Sequence, residues 1–205
     1  MIDMADHLKA VGRELSKDDG QQVVGVLLRR TYEATAEDVW EAITDPDRLR
    51  RWFMPVSGDL REGGNFQLEG NAGGEILTCA PPKLLKVTFG GETSIVHVRL
   101  TPGGDRTTVE LEHTVPPEMV AGGAGALYVG PGWDGGLLGL ALFLSGQVEE
   151  GVDPVAMAAT GEAQDFSLGS IDLWTAVVEA EGTSTPEALA EAVGVAKGQF
   201  APDPG

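Results

Sequence analysis

The stretch from Arg29 to Leu60, RRTYEATAEDVWEAITDPDRLRRWFMPVSGDL, constrains the fold more than any other part of the chain. It closes an apolar strand that begins at Val23 and passes directly into two short helices. Thr35 stands where an N-cap is needed, with Asp38 three residues later, so a helix is expected from Ala36 with Val39, Trp40 and Ile43 as its apolar stripe. Asp45-Pro46 ends that helix, because the residue before proline is pushed out of the helical region and proline suits a new first turn. A second amphipathic helix is expected from Asp47 to about Phe53.

Six short strands should follow, near 56–59, 65–69, 74–80, 84–89, 93–101 and 106–114. Turns at Gly63-Gly64, Ala72-Gly73, Pro81-Pro82, Gly90-Gly91 and Pro102-Gly103-Gly104 separate them. Alternation identifies one consistently apolar face: Leu85, Val87 and Phe89, then Val96, Val98 and Leu100, then Val109, Leu111 and His113. Glu110 and Glu112 belong on the other, wet face. An antiparallel sheet of this kind must cover its apolar side, and an apolar helix from about Trp133 to Val148 is the expected cover. Gly135, Gly136 and Gly139 in that helix each cost about 1 kcal/mol relative to alanine, which points to close approach or open space beside them.

The ends of the chain read as helical. Met4, Leu8, Val11 and Leu15 make one face of an expected helix over residues 3–17, stopped by Asp18-Asp19-Gly20. Two more helices are expected at 165–181 and 185–200, with stripes Ile171, Trp174, Val178 and Leu189, Val193, Ala196, Phe200. Their stripes need an apolar surface, either the rest of the chain or a second copy, which leaves a homodimer open. The organisation expected is a helical arm over 1–20, a domain over 21–150 and an acidic helical extension over 151–205. The glycine-rich segment Ala121–Gly125 reads as a mobile loop.

The net charge of −18 disfavours nucleic acid as a partner, since Lys and Arg supply most of that affinity. Residues 149–205 carry eleven acids against one base, Lys197, a pattern of solvated helical faces. Arg48, Arg50 and Arg51 form a small basic island, either helix surface or an anion contact. The single Cys79 cannot form an internal bridge, and the acidic N-terminus lacks the basic start of a signal peptide. The most apolar run, Leu137–Leu144, is too short to span a bilayer, so no membrane insertion is expected and the cytoplasm is the expected compartment.

A Tyr-x-Ala-x-x-x-x-Val-Trp-x-Ala junction at Tyr32–Ala42, then Thr-Asp-Pro at 44–46 and Trp-Phe-x-Pro at 52–55, resembles the START-like (SRPBCC) superfamily. Within it the chain is most similar to the branch of heat-shock-protein-90 ATPase activator homologues. Gly63-Gly64, the string GNAGGEIL from Gly70, Pro81-Pro82, the strand ending at His113 and Gly130-Pro-Gly-Trp133 match in order, over roughly residues 23–146. The resemblance implies an α+β helix-grip fold: a curved antiparallel sheet of about seven strands around a long C-terminal helix, with a cavity between them and helical extensions at both ends. It also gives His113 the position of a recurrent histidine.

Gly130-Pro-Gly132-Trp-Asp-Gly135 formally matches a dinucleotide fingerprint, with Glu150 at a suitable distance for a ribose. A glycine-rich loop rather than a buried strand precedes it, so this reading is rejected. His7, His97 and His113 show no metal-ligand spacing, and neither metal nor cofactor is expected. A histidine ending an inward face is either a satisfied core residue or a group that orients a ligand. No nucleophile or paired inward carboxylates stand out.

The resemblance therefore implies a hydrophobic or amphipathic small molecule as partner, held for sequestration, delivery or sensing. His113 would specify it, with walls from Phe53, Phe66, Leu68, Ile76, Val87, Phe89, Val98, Leu111, Leu137 and Leu140. A polyketide cyclase or dehydratase-like enzyme using the same pocket, and a chaperone-associated or regulatory interaction module, are the alternatives.

Overall fold

The computed structural model of the protein describes residues 4–148 and 160–202. Helix α1 (Met4–Lys9) leads into β1 (Gly12–Lys17) and β2 (Val23–Tyr32), followed by α2 (Ala36–Thr44) and α3 (Pro46–Trp52). The meander β3 (Val56–Gly58), β4 (Asn65–Leu68), β5 (Gly73–Ala80), β6 (Leu84–Thr88), β7 (Ile95–Pro102) and β8 (Thr107–Thr114) comes next. Helices α4 (Ala126–Leu144), α5 (Gly161–Glu181) and α6 (Pro186–Phe200) complete it.

Capping chemistry sets these boundaries. Thr35 accepts from Asp38 N at the start of α2, Asp45 accepts from Arg48 N to open α3 with Pro46 in its first turn, and Thr185 accepts from Ala188 N to open α6. The strands form one eight-stranded antiparallel sheet in the order β1-β2-β8-β7-β6-β5-β4-β3, so β2 and β8 pair inside it, one strand in from the β1 edge. Alternation holds in β8, where Thr107, Val109, Leu111 and His113 are buried. On the outer face Glu110 pairs with Arg29, and Glu112 accepts from Ser16 and lies near Arg99.

The N-terminal segment departs from the helix expected over 3–17. Only Met4–Lys9 is helical, and Gly12–Lys17 becomes an eighth strand against β2. Val11 and Leu15 do reach the core, but Leu15 does so as an inward strand residue opposite Val26. Asp18–Gly20 makes the hairpin turn, with Asp18 O accepting from Gln21 N. Residues spaced to suit a helix thus satisfied a strand face, and hydrogen bonding to an open sheet edge decided between them.

Helix α4 lies on the concave side of the sheet and begins seven residues earlier than expected. Pro131 sits inside it, forfeiting one backbone hydrogen bond. Tertiary packing offsets that loss: Leu127 is fully buried, and the Cα of Gly130 meets the Trp174 ring so closely that an added Cβ would fall 2.5 Å from it. The segment expected to be a loop at 121–125 is instead a tight turn packed beneath the α5–α6 connection, with Ala124 buried and its N–H donating to Ser184 Oγ. The stripes of α5 and α6 dock on α4, and Ile171, Trp174, Val178, Ala192 and Ala196 join the same hydrophobic core as the sheet. Among the described residues α4 is the one helix long and apolar enough to cross a membrane, longer than the Leu137–Leu144 run alone implied; half of its most apolar window is buried inside the protein.

Glycines in α4 answer different needs. At Gly139 an added Cβ would lie 2.9 Å from Trp52 O and 3.2 Å from the Trp52 ring, so α3 and α4 touch there through backbone. Gly135 is exposed with nothing near. Gly139→Ala is therefore expected to destabilise by about 1–3 kcal/mol through overpacking, whereas Gly135→Ala should stabilise by about 0.5–1 kcal/mol. Denaturant unfolding of both variants checks this, and equal shifts would contradict the close approach.

Candidate functional site

The sheet curls away from α4 toward β3, and α2 and α3 close over the gap. Helix α3 turns Leu49, Trp52 and Phe53 inward at spacings of three and four residues, the face an amphipathic helix buries. Between these helices, α4 and the strands lies a cavity of about 190 Å³. Its wall contains all ten residues expected from the sequence: Phe53, Phe66, Leu68, Ile76, Val87, Phe89, Val98, Leu111, Leu137 and Leu140. Trp52, Cys79, Trp133 and Gly136 also line it and were not anticipated there, nor were Ile43, Thr44, Leu49 and Leu85.

The wall is almost free of polar chemistry. Trp52 Nε1 donates to Ala42 O at 3.0 Å, and the Thr44 hydroxyl donates to Trp40 O at 2.7 Å. Cys79 contributes a thiol, which burial, aided by the nearby Glu62 carboxylate, pushes above its ordinary range. Among the described residues no carboxylate, imidazole, amine or guanidinium lines the cavity.

His113 corrects the expectation that it specifies a ligand by contact. It does not line the cavity; its ring stands behind Phe89 and Trp133, in edge contacts at 5.7 and 5.8 Å. Trp133 Nε1 donates to His113 Nδ1 at 3.0 Å, so Nδ1 carries no proton and Nε2–H donates to Ser94 Oγ at 2.8 Å. Both ring nitrogens are satisfied, and the imidazole fixes Trp133, which forms the wall in its place. Register could not reveal this, because it gives the face a residue occupies but not which neighbour shields it.

Burial lowers the His113 pKa from 6.5 to about 4. The unfolded chain takes up a proton below pH 6.5 that the folded chain refuses until about pH 4, so stability present above 6.5 is lost as pH falls through this window. The loss from this group is about 3 kcal/mol in order of magnitude. Urea unfolding between pH 7 and 4 should show the native protein losing that much more than His113→Gln; parallel losses would mean that His113 titrates freely.

A second polar centre, which the sequence did not reveal, lies behind the cavity on α4. Asp134 is fully buried and accepts from Arg13 Nε and Nη2 at 2.9 Å each, Ser170 Oγ at 2.5 Å and Trp174 Nε1 at 3.0 Å. Arg13 Nη1 donates to Leu8 O and Val11 O. One carboxylate thus joins β1, α4 and α5. Nearby, Tyr32 Oη donates to Leu137 O at 3.0 Å, with the Arg30 guanidinium 5.3 Å from the tyrosine ring.

The basic island is engaged locally. Arg48 pairs with Asp38 and Glu41, Arg50 with Asp47, and Arg48 and Arg51 lie over the Phe143 ring at 5.2 and 5.1 Å. Gly130–Gly135 lies inside α4 rather than in a phosphate-binding turn, and Glu150 falls outside the described residues. Among the described residues no three His, Cys, Asp or Glu side chains cluster as metal ligands would.

A curved antiparallel sheet gripping a long helix, with an apolar cavity between them, defines a START-like helix-grip domain. Residues 33–141 match the family described as Activator of Hsp90 ATPase homolog 1-like protein. The chain belongs to that family. It is similar to CalU16 from Micromonospora echinospora: 34% identical to the crystal structure, over 82% of this chain and 97% of that one, with a TM-score of 0.62. Against the solution structure of CalU16 the values are 36%, 83%, 96% and 0.68. The solution structure of the Aha1 dimer from Colwellia psychrerythraea shares the fold at 19% identity and a TM-score of 0.52, over 60% of this chain and 97% of that one. A comparison with curated proteins finds no match.

Proposed function

We propose that this protein binds a small hydrophobic or amphipathic molecule in the cavity between the sheet and α4, for sequestration, delivery or sensing. The supporting observation is the wall itself: about 190 Å³ of space bounded by apolar side chains, with the Trp52, Trp133 and Thr44 donors engaged elsewhere in the protein. Empty apolar cavities of about 150 Å³ take up benzene, whereas pockets for drug-sized ligands run from about 300 Å³. The guest portion held inside is therefore small, and any polar part of an amphipathic ligand stays at the mouth.

A guest burying about 200 Å² of apolar surface gains about 5 kcal/mol, which corresponds to sub-millimolar binding before ordering costs. Among the described residues the wall holds no carboxylate, imidazole or amine, and its Thr44 hydroxyl is engaged with Trp40 O, which favours holding over turnover and sets the cyclase-like reading behind. The lone Cys79, partnered by no other cysteine, accords with a reducing cytoplasm.

Native mass spectrometry of freshly purified protein, with organic extraction, tests the proposal alongside titration by an apolar probe followed through Trp52 and Trp133 fluorescence. Saturable quenching, or a co-purifying apolar compound, is the expected result. Protein that carries nothing and shows no saturable response to any apolar probe would defeat it.

A further inference from the structure

The kind of guest can be read from how the wall is built, given the reading that the cavity holds the ligand. Five of the protein's twelve aromatic residues line this one space: Trp52, Phe53, Phe66, Phe89 and Trp133. They form two groups. Trp52 and Phe53 from the end of α3 lie 5.4 Å apart and tilted by 34°. Phe66, Phe89 and Trp133 form a chain across β4, the end of β6 and α4, at centroid distances of 6.4 and 5.3 Å with tilts of 33° and 51°. No ring contact joins the two groups among the described residues, and the cavity is bordered by both. Each of the five is only half-buried, so ring surface remains available to a guest.

We infer that the cavity selects a neutral, planar aromatic group of about one ring, and rejects both its saturated counterpart and its anionic counterpart. Aromatic pairs prefer offset or edge contacts and gain beyond their buried area, so a flat guest between the two groups would add ring contacts that a puckered ring of the same size cannot make. The orientation of Trp133 is held for this by His113 and that of Trp52 by Ala42 O.

Charge is refused for a separate reason. A buried anion needs a cation or several N–H donors. The Trp52 and Trp133 indole N–H groups are both committed, the Thr44 hydroxyl proton is held by Trp40 O, and among the described residues no cationic side chain lines the wall. The weak Cys79 S–H is the side-chain donor that remains.

Toluene, methylcyclohexane and benzoate share one size and differ in aromaticity or charge. Titrated into the full chain at pH 7 and followed by the indole N–H resonances, toluene should bind ~5-fold or more tighter than methylcyclohexane and ~100-fold or more tighter than benzoate. Methylcyclohexane binding as tightly as toluene would overturn the aromatic selection, and benzoate binding as tightly would overturn the charge selection; both outcomes leave the cavity as a binding site. If none of the three shifts the Trp52 or Trp133 resonance at millimolar concentration, the binding reading fails, and this inference fails with it.

Discussion

Asp134→Ala is expected to lower stability by about 3–5 kcal/mol, because it leaves the Arg13 guanidinium, only 5% exposed, without its counter-charge. A protein of this size loses about 2–4 °C of melting temperature per kcal/mol, so a fall of about 6–20 °C is anticipated. Ser170 and Trp174 lose their acceptor at the same time, and the junction of β1, α4 and α5 loosens together. The double variant Arg13→Met/Asp134→Leu removes both charges and should recover most of the loss, since well-packed apolar replacements of buried pairs are often neutral. Calorimetry of the single and double variants decides the matter: a single-variant shift of a degree or two would show that the pair holds little together.

Gly136→Leu should weaken binding of an apolar probe by about 10- to 100-fold, as overpacking of 1–3 kcal/mol implies, while leaving the protein more stable. Gly136 lines the cavity, and a Cβ added there meets only Phe53 Cε2, at 3.8 Å. A leucine side chain therefore extends into the space a guest would occupy without displacing backbone. Replacing glycine inside a helix contributes about 1 kcal/mol, and the buried leucine carbons add to it. The exposed neighbour Gly135→Leu should gain the helix propensity alone and leave affinity unchanged. Equal affinity in Gly136→Leu and native protein would place the ligand elsewhere.

These two positions also mark the limits of what the sequence disclosed. The helix-strand plan was legible because its signals are local: Thr35 and Asp45 as caps, glycine and proline at the turns, and alternation in β6, β7 and β8. The same alternation, with the family resemblance, picked out ten wall residues. The Asp134 centre was not legible, since its partners Arg13 and Ser170 lie 121 and 36 residues away and neither carries a local pattern. The first strand reads as helix because Val11 and Leu15, four residues apart, fit both periods, and only the free edge of β2 resolves the choice. His113 was placed on the correct face, but its shielding by Trp133 depends on how far α4 extends toward its N-terminus, which Pro131 concealed.

The long-range pairing of β2 with β8 bears on how the chain reaches its native state. Partners in that ladder are separated by 75 to 89 residues, from Tyr32 with Thr107 to Gly25 with Thr114. Such pairings raise contact order, and loop-closure entropy must be met before they stabilise anything, so folding is slow compared with a helical chain of equal length. On the ribosome, β1 is at hand to cover one edge of β2, but the other edge stays bare until β8 has emerged. Until then the edge most open to pairing with another chain is one that the finished protein seals between β2 and β8.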